Sequence, residues 1–290
     1  MDEALFPLPP SVVDEAVFAA LDEDGAYNDV TTAATVQARQ WGRGTFVAKA
    51  DGVIAGLPVA AAAMTALDPD VSFDTLALDG QVVKAGAEIA EVEGRLQSIL
   101  ASERVALNFL QRLSGVATLT RAFVDAVGDT NARILDTRKT TPGLRQLERY
   151  AVRAGGGHNH RYSLQDGVLI KDNHIEAAKQ RGVSHLGQLV RETRATVPHL
   201  MRIEIECKSL DEVREALDGA PDVILLDNMD AGQIGEAVSV IGGRALVEAS
   251  GGVTLENVRS IAEAGVDFIS VGRLTHSAPA LDISLELQAV

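Results

Sequence analysis

The stretch RAGGGHNHR, residues 153–161, sets permissive glycine backbone beside two histidines and two arginines. Two chemistries use that pattern: a metal held by His-x-His, or an anion met by backbone amides and cations. Between Arg138 and Lys171 the chain also carries Lys139, Arg145, Arg149, Arg153 and Arg161, with only Glu148 and Asp166 as acids. The whole chain has a formal net charge of −15, from 26 Lys and Arg against 41 Asp and Glu. A cluster of cations in so acidic a protein points to a bound anion. Arg145, Arg149 and Arg153 fall at helical spacing and also read as a solvated helix face. Arg138, Lys139, Arg161 and Lys171 lie at expected strand ends or beside the glycines, where that reading is weak.

The elements that must position these groups are legible from Ile134 onward. Short β-branched runs at 134–135, 168–170, 203–205, 223–226, 246–247 and 268–271 alternate with amphipathic segments. Such alternation predicts parallel strands joined by helices, and this number of units favours a barrel over an open sheet. Ser209 to Glu212 reads as a capping box for a helix with Leu210, Val213, Ala216 and Leu217 on one face and Gly219 at its end. A second helix carries Val258, Ile261 and Ala262 and ends at Gly265.

Polar residues then follow each run: Asp136-Thr137-Arg138-Lys139, Lys171-Asp172-Asn173-His174, Glu206, Asp227-Asn228, Ser250-Gly251-Gly252 and Gly272. The carboxyl ends of parallel strands are where such barrels build active sites. Glu206 and Asp227 are carboxylates able to hold Mg²⁺ or to ease positive charge developing on a sugar. Glu204 alternates with Glu206 and faces the same way, whereas Cys207 points to the core. Ser250-Gly251-Gly252 with Gly272 reads as a backbone cradle for phosphate.

Composition sets the outer limits. The 290 residues are 46% hydrophobic but only 4% aromatic, as expected of an α/β protein. One cysteine excludes a disulfide framework and a multi-cysteine zinc site. The N-terminal MDEALFPLPP has no apolar run, and the mainly apolar stretch 54–67 is too short to span a bilayer. The expectation is a soluble cytoplasmic protein binding neither membrane nor, at this charge, nucleic acid. Residues 1–113 read as a separate α+β domain. It has a helix over 12–21, strands near 46–47, 53–54 and 82–83, turns at Asp79-Gly80 and Ala85-Gly86, and a helical alanine run at 60–63. A long helix from Leu96 to about Leu113 leads into the barrel.

Three functions compete on these residues. A metal hydrolase using His158 and His160 is disfavoured, because the later strand ends carry Lys171, Glu206, Asp227 and Ser250 rather than histidines. An inert binding scaffold leaves the full set of cations and carboxylates without purpose. An enzyme gripping a polyanion with cations and a phosphorylated substrate with glycine amides accounts for all of them.

The stretch DTRKTTPGLRQLERYAVRAGGGHNHRYSLQDGVLIKDNHI closely resembles the signature of the quinolinate phosphoribosyltransferases. The likeness extends to NDVTT, DGVIAGL, SERVALNFLQRLSGVAT, EIECKSLDE, ILLDNM, EASGG and SVGRLTHSAPALDISL, so it covers essentially the whole chain. It implies an N-terminal α/β sandwich domain (1–113), an incomplete, seven-stranded α/β barrel (114–274) and a C-terminal segment (275–290) returning to the first domain. It further implies a homodimer whose active sites are shared between subunits, and a Mg²⁺-dependent reaction of quinolinate with 5-phosphoribosyl-1-pyrophosphate (PRPP). That reaction yields nicotinate mononucleotide, pyrophosphate and CO₂, a step of NAD biosynthesis. By motif, quinolinate would meet Arg138, His160, Arg161 and Lys171, with Arg104 from the partner. Lys139 and His276 would face pyrophosphate, Glu206 and Asp227 the ribose and Mg²⁺, and Ser250, Gly251, Gly252 and Gly272 the phosphate. Lys139, Lys171, Glu206 and Asp227 would form the catalytic set. Asn28 stands where the pattern has glycine, and Arg149 where it more often has lysine.

Overall fold

A computed structural model describes residues 7–289. Its contacts divide the chain into two units. The first holds the residues up to Arg121, Lys139–Gly156 and the residues from Arg273 on; the second holds Ala122–Arg138 and Gly157–Gly272.

The first unit is built on an antiparallel sheet in the order β12 (Ile283–Ala289), β1 (Trp41–Ala48), β5 (Glu88–Arg95), β3 (Ser72–Thr75). A two-stranded ribbon pairs β2 (Gly52–Val53) with β4 (Val82–Val83). The end of the chain thus returns to pair with β1. Phe46 stacks at a tilt on Phe73, centroids 5.5 Å apart, and Ile89, Ala90 and Val92 add apolar surface with no exposure. The helix Pro10–Asp24 buries Val13, Val17 and Leu21, one face at a four-residue repeat, and Gly25 closes it at φ 68°. The alanine run lies in the helix Leu57–Ala66, where small side chains at Ala60 and Ala63 are fully buried. Asn28 occupies a 3₁₀ turn, Ala26–Asn28, outside the left-handed region, so it stands in for glycine without strain.

The helix that begins at Leu96 runs unbroken to Val127, through residue 113. Its buried positions Ile99, Ser102, Ala106, Leu110, Leu113, Ala117 and Thr120 repeat every three to four residues, the period of one helical face. Ser102, Thr118 and Thr120 donate their hydroxyls to carbonyls four residues back, which lets polar residues sit inside it. Gly115 allows the C-terminal segment to approach, since a Cβ there would lie 2.0 Å from the Pro279 carbonyl oxygen.

The second unit is a parallel sheet of six strands, β6 (Arg133–Leu135), β7 (Val168–Ile170), β8 (Ile203–Cys207), β9 (Val223–Asp227), β10 (Leu246–Ser250) and β11 (Phe268–Ser270). Their spatial order is β6-β11-β10-β9-β8-β7. A parallel bridge between Leu135 and His158 adds a seventh position beside β6. β7 and β6 do not pair with each other, so the barrel pattern is open between them. Each strand from β8 to β11 is preceded by a helix: Leu186–Thr196, Leu210–Leu217, Ala231–Ile241 and Val258–Glu263.

Two local expectations need correction. Ser209 caps its helix by accepting the Glu212 amide at 3.2 Å, but the Glu212 carboxylate accepts from Lys208, one residue before the cap. The box is therefore displaced by a residue. Gly219 is not the left-handed residue that ends this helix; Ala220 is, at φ 51°. Gly219 is there for space, because a Cβ would meet the Gly187 carbonyl oxygen at 2.6 Å.

Candidate active site

The side-chain face of the parallel sheet follows from register. Glu206 pairs with Leu225, Ser250 with Asp227, and Ser250 with Ser270. Paired residues share a face and alternate residues repeat it. Glu204, Glu206, Asp227, Glu248, Ser250 and Ser270 therefore project to one side, while Cys207, with no exposure, projects to the other. Burial and neighbouring acids push the Cys207 thiol up, leaving it inert.

Lys171, just past β7, brings its Nζ within 3.8 Å of Glu206 Oε2 at the end of β8. Burial first, then the charge of Asp227, raises the Glu206 carboxyl, and Lys171 opposes both. Asn228, in the left-handed region at φ 56°, donates its amide to Asp227 Oδ2 at 2.9 Å and so holds that carboxylate at the strand end. Its backbone N–H donates to the Ser250 carbonyl at 2.9 Å. Gly251 and Gly252 follow at φ 86° and 61°, exposed and positive, as a turn presenting its backbone requires. At Gly251 a Cβ would collide with Asn228 Oδ1 at 2.3 Å, so the two β-strand exits fix each other. The Ser270 hydroxyl donates to Ser250 Oγ at 2.9 Å, and Gly272 lies two residues beyond Ser270, partly exposed.

His160 and Arg161 leave the bridge at His158. The His160 amide donates to Asp136 Oδ1 at 2.8 Å, and Asn159 Nδ2 to Asp136 Oδ2 at 2.6 Å, so one buried carboxylate sets this turn. Arg161 Nη1 donates to the Gly167 carbonyl at 2.8 Å. Burial first and then the nearby Arg138 charge push the Arg161 guanidinium down, as expected where two cations await an anion.

His160 Nε2 lies 3.2 Å from Glu204 Oε2 and 3.5 Å from Glu248 Oε2. These three residues have the proximity of a metal site. Burial disfavours a charged ring, but the two carboxylates favour it up to about 10. The Arg161 N–H, however, donates to His160 Nδ1 at 2.7 Å, occupying the place of a second ring proton. The geometry describes a ring protonated at Nε2 and hydrogen-bonded to the glutamates, not a metal ligand. Burial and Glu248 push the Glu204 carboxyl up, consistent with a proton held within this group. The His158 main chain joins the sheet, its N–H donating to the Ile134 carbonyl at 2.8 Å. Sequence reasoning misses Glu248, although it stands two residues before Ser250 as Glu204 stands before Glu206.

The glycine run is not a bare amide cradle. Gly155 and Gly157 are buried, and only Gly156, at φ 89°, is exposed. In the first unit, a Cβ on Gly155 would lie 2.4 Å from the Ala117 carbonyl oxygen. The same unit carries Arg104, Lys139 and His276, all exposed. The Lys139 carbonyl accepts from Thr275 Oγ1 at 2.8 Å, which ties the lysine loop to the short helix Arg273–His276.

Residues 29–114 match the family model of the quinolinate phosphoribosyl transferase N-terminal domain, and residues 116–286 that of its C-terminal domain. The chain is 43% identical over 284 residues to a probable nicotinate-nucleotide pyrophosphorylase (carboxylating) of Synechocystis, covering 97% of this chain and 94% of that protein. A protein of Bacillus subtilis with the same description is 42% identical over 241 residues, 83% and 82% of the two chains. Among solved structures, NadC from Streptococcus pyogenes superposes with a TM-score of 0.93 at 40% identity, covering 98% of this chain and 99% of that one. On both domains and over nearly its whole length, the chain belongs to the quinolinate phosphoribosyl transferase family.

Proposed function

We infer that this chain transfers the phosphoribosyl group of PRPP to the ring nitrogen of quinolinate and releases the adjacent carboxylate as CO₂, giving nicotinate mononucleotide and pyrophosphate. The observation that carries this reading is the meeting of opposite charges at adjacent strand ends, Lys171 against Glu206 beside Asp227. Cations suit a dicarboxylate, and carboxylates suit a sugar that becomes positive.

In this reading Arg138, His160, Arg161 and Lys171 bind the two carboxylates of quinolinate, helped by Arg104 of a second subunit. Planar guanidinium forks match carboxylates. Glu204 and Glu248 hold the His160 ring through Nε2, so His160 serves the quinolinate pocket by lining it and by fixing the turn that carries Arg161. Lys139 and His276 receive the pyrophosphate, and Ser250, Gly251, Gly252 and Gly272 the 5-phosphate. As the ring nitrogen attacks the anomeric carbon and pyrophosphate departs, Glu206 and Asp227 stabilise the positive ribose. As CO₂ departs, the electron pair stays on ring carbon 2, where the adjacent quaternised nitrogen and Lys139 steady it until that carbon takes a proton from water. No side chain forms a covalent bond to substrate.

Glu206 and Asp227 are adjacent oxygen donors whose mutual repulsion a divalent cation relieves, so they fit Mg²⁺. Mg²⁺ held there by Glu206 and Asp227 would neutralise phosphate charge. The dimer and a cytoplasmic location belong to the same proposal. No helix among the described residues is long and apolar enough to cross a membrane.

The test is PRPP-dependent release of CO₂ from quinolinate labelled in the carboxylate at ring position 2, with nicotinate in a parallel reaction. Release from quinolinate and no product from nicotinate is expected. No turnover of quinolinate by the folded protein, with Mg²⁺ present, overturns the reading.

A further inference from the structure

Beneath the two exposed cations of the first unit lies a buried network that the proposed mechanism leaves unused. Glu148 has no exposure. Its Oε1 accepts Arg112 Nη2 at 2.7 Å, Arg112 Nε at 3.3 Å and Thr141 Oγ1 at 2.8 Å; its Oε2 accepts the Thr141 amide at 3.0 Å. Arg112 turns two further N–H groups to the C-terminal segment, from Nη1 to the Ala278 carbonyl at 3.0 Å and from Nη2 to the Thr275 carbonyl. Thr275, also with no exposure, closes the ring by donating its hydroxyl to the Lys139 carbonyl at 2.8 Å.

The anchors and the exposed groups are neighbours in sequence. Thr141 is two residues from Lys139, and Thr275 is one residue from His276. Four connections therefore fix the backbone on which two solvent-facing cations stand. A buried ion pair is a poor device for stability alone, since apolar residues of the same volume serve as well. What it offers is direction: the planar fork of arginine reaches a carboxylate and two carbonyls at set angles, which neither lysine nor a hydrocarbon can do.

We propose that Arg112 and Glu148 are positioning residues that hold Lys139 and His276 in register for the pyrophosphate of PRPP. The proposal rests on the reading above that these two cations face pyrophosphate. Loss of the pair displaces the cations and leaves the quinolinate side chains of the second unit, Arg138, His160, Arg161 and Lys171, as they are.

Steady-state kinetics of Glu148→Gln, Arg112→Lys and Thr275→Val test it. Glu148→Gln keeps shape and loses charge, Arg112→Lys keeps charge and loses the fork, and Thr275→Val removes only the hydroxyl and leaves the ion pair intact. In each folded variant kcat/KM for PRPP should fall about tenfold or more while the quinolinate KM stays within about twofold. Because Thr275→Val touches neither charge, it remains informative if Glu148→Gln fails to fold. Equal losses toward both substrates, or parent kinetics in every folded variant, overturn the proposal. Lys139→Ala with unchanged PRPP kinetics instead overturns the reading of the pyrophosphate end on which it stands.

Discussion

Arg161 and His160 show how neighbouring residues acquire different work from a single turn. The Arg161 amide is spent on His160 Nδ1, and one guanidinium nitrogen on the Gly167 carbonyl. Burial first, and then the charge of Arg138, disfavour its own charge until an anion arrives. Removing the guanidinium should therefore cost quinolinate a charge-assisted hydrogen bond, about 1.5–3 kcal/mol or ten- to a hundredfold in KM. Arg161→Ala is expected to show that rise with PRPP KM nearly unchanged; equal rises for both substrates would mean the two subsites have been interchanged. The histidine is legible in the sequence as a candidate, because its spacing from His158 and the glycines draws attention to it. Its partners are less so. Glu248 lies far away in sequence, and only the pairing of β8 and β10 through β9 places it beside Glu204.

At the scale of elements, the glycines separate into those that turn and those that make room. Gly251 and Gly252 turn, and their place after a strand announces it. Gly155 has φ −73° and no conformational need of glycine, yet a Cβ would press on the backbone of the helix Leu96–Val127. Gly155→Ala should destabilise the protein by about 1–3 kcal/mol, the usual cost of overpacking. Gly235, inside the helix Ala231–Ile241, is the matching control, since a methyl added there would meet nothing within 4 Å. Gly235→Ala should be neutral or stabilising by up to about 1 kcal/mol. Urea midpoints measured on both variants decide it, and equal midpoints would mean that Gly155 is not tightly packed. Neither result is visible in the string GGG, since crowding depends on a helix some 35 residues earlier, whereas the strands of the second unit are visible from their β-branched runs alone. The long helix reads as ending near Leu113 because polar Ser114, Gly115 and Thr118 interrupt its apolar pattern; the Thr118 hydroxyl is satisfied by the carbonyl of the preceding turn.

For the whole molecule, the acidic net charge sets the constraint: a protein of −15 that takes two polyanionic substrates must concentrate its cations. Arg104 is exposed on the helix Leu96–Val127, while Lys139 stands on a loop of the same unit anchored by Thr275. Under the proposed dimer, Arg104 serves the partner's site and Lys139 its own. The two residues then belong to different active sites, and their substitutions are separable. Arg104→Ala and Lys139→Ala should each abolish turnover in a homodimer. In a heterodimer of the two, one site has lost both groups and the other has lost neither. Random exchange of an equal mixture makes half the dimers mixed, each with one intact site of two, so activity should recover to about a quarter of the parent value. Turnover measured before and after exchange checks this. Recovery requires a shared site, because two defective chains with self-contained sites remain inactive however they pair. Absence of recovery, with subunit exchange verified by native mass spectrometry of differently tagged chains, would return Arg104 to its own chain.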